Sequence, residues 1–88
     1  MCTYITDTFE VSGSAKGPDG WIRVTDASVY FDHPQHAFAD HTLNIDLRRP
    51  ADGPAARVAI ELTAESARAL ATSILAILDQ VPEGLVTA

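Results

Sequence analysis

From residue 64 to residue 81, apolar side chains return every three to four positions. Ala67, Leu70, Ala71, Ile74, Leu75, Ile77, Leu78 and Val81 fall on one broad face at about 100° per residue. That period predicts an amphipathic helix. Thr63 can cap its first turn, Glu65 suits the partial positive charge there, and Pro82 and Gly84 stop it. Upstream the period changes to two, which predicts strands over 3–12, 21–33, 41–48 and 56–62. Turn-forming residues separate them, with Gly17-Pro18-Asp19-Gly20 after the first strand and Arg49-Pro50-Ala51-Asp52-Gly53-Pro54 after the third.

Short strands with short connections predict an antiparallel meander in the order 1-2-3-4. The C-terminal helix covers one face, giving a single α+β domain over residues 1–88. Alternation also predicts register, because a slip of one residue turns every side chain to the other face. If His33 faces His41, then Phe31 meets Leu43, Val29 meets Ile45 and Ala27 meets Leu47. In the third hairpin, Leu47 meets Val58, Ile45 meets Ile60 and Leu43 meets Leu62. Every one of these pairs is apolar.

The first hairpin is less regular. Phe9 with Val24 and Val11 with Ile22 sets Glu10 by Arg23, but it also puts Asp7 opposite Asp26 on the apolar face. The inward phase of the second strand changes between Val24 and Ala27. A β-bulge near Thr25 and Asp26 accounts for both features. The alternative is a true Asp7–Asp26 carboxylate pair with a raised pKa.

Composition and charge narrow the function classes. Apolar residues make up 47% and charged residues 20%, which fits a folded domain of one core. A net charge of −6, with only six Lys and Arg, argues against nucleic acid and against anionic membrane surfaces. No apolar run is long enough to span a bilayer. Cys2 is the only cysteine, so no internal disulfide can form, and the first residues lack a secretory pattern; a cytoplasmic location is expected.

The chemically loaded feature is a histidine cluster. His33, His36 and His41 are the only three histidines, and they lie within nine residues. His33 and His41 end two paired strands, where opposed Cβ atoms stand about 4.5–5.5 Å apart. His36, in the loop between them, can fold back to complete a three-imidazole metal site. Such a set suits zinc, copper, nickel or iron and leaves a coordination position open. Asp32 and Asp40 are candidates to orient the rings, and Cys2 is a weaker ligand candidate on the same rim. The spacing matches no metal signature such as His-Glu-x-x-His. Tyr4 and Tyr30 can line the rim, and Trp21 can cover an edge.

Three functional readings follow. The first is a small metal-binding protein, with open coordination for metalloenzyme chemistry. The second is a dimeric interaction or small-molecule-binding module with incidental histidines. The third is a metal-free acid–base enzyme pairing a histidine with Asp7 or Asp26. A homodimer is expected on separate grounds. Ala69, Thr72, Ser73 and Ala76 make the helix face opposite the apolar stripe small and uncharged, and one helix covers only one sheet face.

Four stretches carry a resemblance. Met1-Cys2-Thr3-Tyr4, Gly17-Pro18-Asp19-Gly20-Trp21, Tyr30-Phe31-Asp32-His33-Pro34 and His41-Thr42-Leu43-Asn44-Ile45-Asp46 resemble short actinobacterial proteins of unknown function. The similarity spans nearly the whole chain. It implies a lineage and brings no activity or cofactor with it.

Overall fold

A computed structural model describes residues 5–86 of the chain. Four strands, β1 (Ile5–Gly17), β2 (Gly20–Asp32), β3 (Thr42–Arg48) and β4 (Arg57–Leu62), precede one helix, α1 (Ala64–Gln80). Short 3-10 turns occupy Pro50–Asp52 and Glu83–Leu85. The strands form one antiparallel sheet in the order β1-β2-β3-β4, and α1 packs on β3 and β4. This is the expected α+β meander.

Two hairpins take the register that apolar alternation requires. Phe31 pairs with Leu43, Val29 with Ile45 and Ala27 with Leu47. Leu43 pairs with Leu62, Ile45 with Ile60 and Leu47 with Val58. Between β3 and β4, the Arg49 amide donates to the Ala56 carbonyl at 3.0 Å, and Arg49 pairs with Asp52 at 3.1 Å.

The first hairpin differs from expectation. β1 continues beyond Ser12 to Gly17, which pairs with Gly20 across a two-residue Pro18-Asp19 turn. Phe9 therefore faces Ala27 and not Val24, and Glu10 faces Asp26 and not Arg23. Asp7 faces Val29, so no Asp7–Asp26 pair exists. The turn sets the register here, because residues 12–17, Ser-Gly-Ser-Ala-Lys-Gly, carry no apolar alternation to oppose it. A bulge does occur near Thr25 and Asp26, but the extra residue lies in β1, between Glu10 and Gly13.

That bulge has a consequence for packing. Bulges bend and twist the strand that carries them. β1 and β4 are opposite edges of the sheet, yet a Cβ placed on Gly17 would lie 4.0 Å from Val58 Cγ2. The hairpin tip thus curls across to the far strand. Val24 and Ala27, at 4% and 2% exposure, are the buried apolar side chains among the described residues. Trp21, beside the turn, is 69% exposed and covers little.

The helix begins as its residues require. Thr63 Oγ1 accepts the Ser66 amide at 3.2 Å, and Glu65 occupies the first turn. It ends at Gln80, one residue before the expected Val81, which serves as the C-cap ahead of Pro82. Yet no α1 residue is buried. Leu70, Ile74, Leu75, Ile77 and Leu78 remain 43–64% exposed. No helix among the described residues is long and apolar enough to cross a membrane.

Candidate functional site

Strand pairing brings two of the three histidines together. The β2–β3 ladder closes at Asp32 and Thr42, and one step beyond it the His33 and His41 rings stand 4.5 Å apart, tilted by 33°. His41 also stacks on Phe31, with ring centres 5.9 Å apart. His33 Nδ1 lies 3.1 Å from the Asp40 carbonyl oxygen. A carbonyl only accepts, so Nδ1 carries the hydrogen and Nε2 of the neutral ring keeps its lone pair. The backbone amide of His33 donates to the buried Asp32 carboxylate at 2.7 Å. Asp40 thus acts through its main chain, and Asp32 holds the strand end on which His33 sits.

His36 takes another course. The loop carries it to the outer sheet face, where its backbone amide donates to Glu61 Oε1 at 3.0 Å. Among the described residues, no three of His, Cys, Asp and Glu converge in a group able to hold a metal ion. Cys2 and Tyr4 lie outside the described residues. Asp7 lies beside Val29, four residues from His33 on the neighbouring strand, or about 13 Å along the ladder. Asp26 is further still and accepts from Thr25 Oγ1 at 2.7 Å. Neither aspartate reaches a histidine.

The outer face holds a polar groove of about 1060 Å³, roofed by the loop after β2. Tyr30 Oη donates to Asp46 Oδ2 at 3.3 Å, and Arg57 Nη2 donates to Asp46 Oδ1 at 3.1 Å. Burial, then the Asp46 charge, pushes the Tyr30 phenol up from its ordinary pKa. Beneath the loop, Thr42 and Asn44 are buried, with Thr42 Oγ1 donating to Asn44 Oδ1 at 2.7 Å. The loop itself is held by Glu61 on β4. Its carboxylate accepts the backbone amides of Gln35, His36 and Ala37, which keeps its pKa below the usual carboxylate range. Sequence reading missed this clamp. The register already placed Tyr30, Asn44 and Glu61 in one outward row, but a main-chain target has no side-chain signature.

The inner face is the reverse in character. Ile5, Val29, Phe31, Leu43, Ile45 and Leu62 floor an open cleft of about 720 Å³, walled by Ala67, Leu70, Ala71 and Ile74 of α1. Its charged lining residues are Asp7, from β1, and Arg68, from α1. The sequence pattern identified this face correctly as apolar. What it did not anticipate is how little of the face α1 covers.

A model of a family of unknown function matches residues 1–87. The chain belongs to the DUF6295 family. No curated protein and no solved structure matches it. Membership in DUF6295 agrees with the expected resemblance to a family of unknown function and assigns no chemistry, so a functional reading rests on the two sheet faces and the histidine rim.

Proposed function

We propose that this protein is an interaction module that works as a homodimer, each copy laying the apolar stripe of its helix against the uncovered inner face of the other. The observation that carries this reading is the exposure of Leu70, Ile74, Leu75, Ile77 and Leu78, all between 43 and 64%. Monomeric proteins rarely leave so contiguous an apolar stripe open to water.

Three features favour a second copy as the occupant. A four-stranded sheet is about 14 Å wide between its outer strand axes, and a helix is about 10 Å across. With α1 seated over β3 and β4, the β1 side is open for a second helix, and Ile5 there is 74% exposed. Asp7 and Arg68 line the cleft with opposite charges, so the cleft carries the self-complementary charge that a two-fold interface uses.

The energies agree in size. Each of the five side chains has roughly half of the 1.5–3 kcal/mol of its full burial still to gain, or roughly 4–8 kcal/mol per chain. Two chains contribute roughly 8–16 kcal/mol, against an association cost of about 4–15 kcal/mol. Burial on this scale is of the same size as the freedom lost.

Sedimentation velocity on the full chain tests the reading. The expected result is twice the chain mass for the wild type and for Ala69→Glu, which alters the far side of the helix. Ile74→Glu and Leu78→Glu should run at the chain mass. A monomeric wild type at high concentration would refute self-association. A monomer that co-purifies with an apolar small molecule would instead assign the cleft to a ligand.

A further inference from the structure

The rim beyond the β2–β3 ladder adjoins the inner cleft through Phe31, which floors the cleft and backs the His41 ring, and it carries its own chemistry. We infer that His33 and His41 together bind one divalent transition-metal ion, with water completing its coordination. Nothing about self-association enters this inference.

The geometry is that of a cross-strand pair with both rings on the same side. Their centres stand 4.5 Å apart, and the rings tilt by 33° rather than lying flat upon each other. Metal–imidazole bonds run about 2.0–2.1 Å, so two nitrogens sharing one ion stand no more than about 4.2 Å apart. With ring centres 4.5 Å apart, one nitrogen from each ring is within reach of a shared ion. His33 is exposed and His41 half-buried, so a hydrated ion reaches them without any opening of the fold.

The surroundings prepare one ring for the task. The Asp40 carbonyl takes the hydrogen on His33 Nδ1 at 3.1 Å, which turns the lone pair of the neutral ring to Nε2. A main-chain carbonyl fixing one ring nitrogen so that the other binds metal is the recurrent arrangement behind ligating histidines. The strand ends beneath the rings are firmly held, since Thr42 is fully buried and the Asp32 carboxylate takes the His33 amide at 2.7 Å. Phe31 backs the His41 ring.

The donor set also selects the ion. Two imidazoles suit copper(II), nickel(II) and zinc(II), whereas calcium and magnesium require oxygen cages. With only two protein ligands, most of the coordination sphere belongs to solvent. His36, whose loop segment is tied to Glu61 on the outer face, takes no part. This departs from the three-histidine set expected from sequence.

The test uses untagged full-length protein, zinc chloride as the probe, and proton–carbon NMR of the histidine rings alongside calorimetry. One ion per chain should bind, shifting the ring signals of His33 and His41 and leaving those of His36 in place. His33→Gln and His41→Gln should each lower affinity on the order of tenfold or more, while His36→Gln leaves it unchanged. The Ile74→Glu chain should bind zinc as the wild type does, which separates this site from the dimer. If the glutamine variants misfold, the wild-type ring shifts decide alone. Wild-type rings that stay unmoved at saturating zinc would overturn the inference. So would glutamine variants that bind like the wild type, or a His36→Gln variant that weakens equally.

Discussion

At the scale of single residues, Glu61 shows how one carboxylate can order a loop that has no core of its own. It accepts the amides of Gln35, His36 and Ala37, and those bonds lower its pKa. A carboxylate whose pKa is depressed on folding contributes stability above its unfolded pKa and loses that contribution as pH falls through the folded value. The clamp is therefore complete at neutral pH and releases in acid, below the usual carboxylate range. Glu61→Gln replaces one acceptor oxygen with a donor. Amide hydrogen exchange at residues 35–37 should speed up in that variant at neutral pH, with the strand amides unchanged; equal exchange in both proteins would show that other bonds hold the loop. The histidines were legible in sequence because two of them sit in strand phase. His36 was not, because a loop residue follows its main-chain bonds and not an alternation.

At the scale of elements, apolar pairing was readable wherever it was the only strong signal. β2 with β3 and β3 with β4 took the alignment that buries apolar partners together. β1 was misread by several residues because Ser12, Gly13 and Ser14 lack an apolar preference, and the tight Pro18-Asp19 turn decides the pairing in its place. Gly20 is essential to that turn. Its φ of +117° is one that side chains bearing a Cβ rarely adopt. A Cβ there meets nothing within 4 Å, so the cost of Gly20→Ala is backbone strain alone, about 1–3 kcal/mol. Chemical denaturation should show that loss with an unchanged slope. Full retention of stability would mean that the turn relaxes at no cost.

At the scale of the whole molecule, the two faces have opposite fates. The outer face satisfies its polar groups internally, while the inner face is left largely uncovered by α1. The apolar stripe of α1 was legible, but its exposure was not, because exposure depends on how far the sheet curls. The β1 bulge sets that curl and closes one end of the inner face while α1 lies at the other. Each chain carries a net charge of −6, so two copies repel. Added sodium chloride screens that repulsion, and sulfate strengthens apolar burial further. The dimer dissociation constant should fall with either salt, more steeply with sulfate, as followed by sedimentation. A constant that rises with salt would point to an interface held by ion pairs.

Strand order that follows chain order also dictates the sequence of events at the ribosome. Each hairpin needs only the segment made just before it, so the sheet can zip up as it emerges. Its oily side then waits bare until α1, which follows the sheet, is synthesised. For that interval the nascent chain is at its stickiest, and, on the proposed dimer reading, pairing of newly released copies would be what ends the exposure.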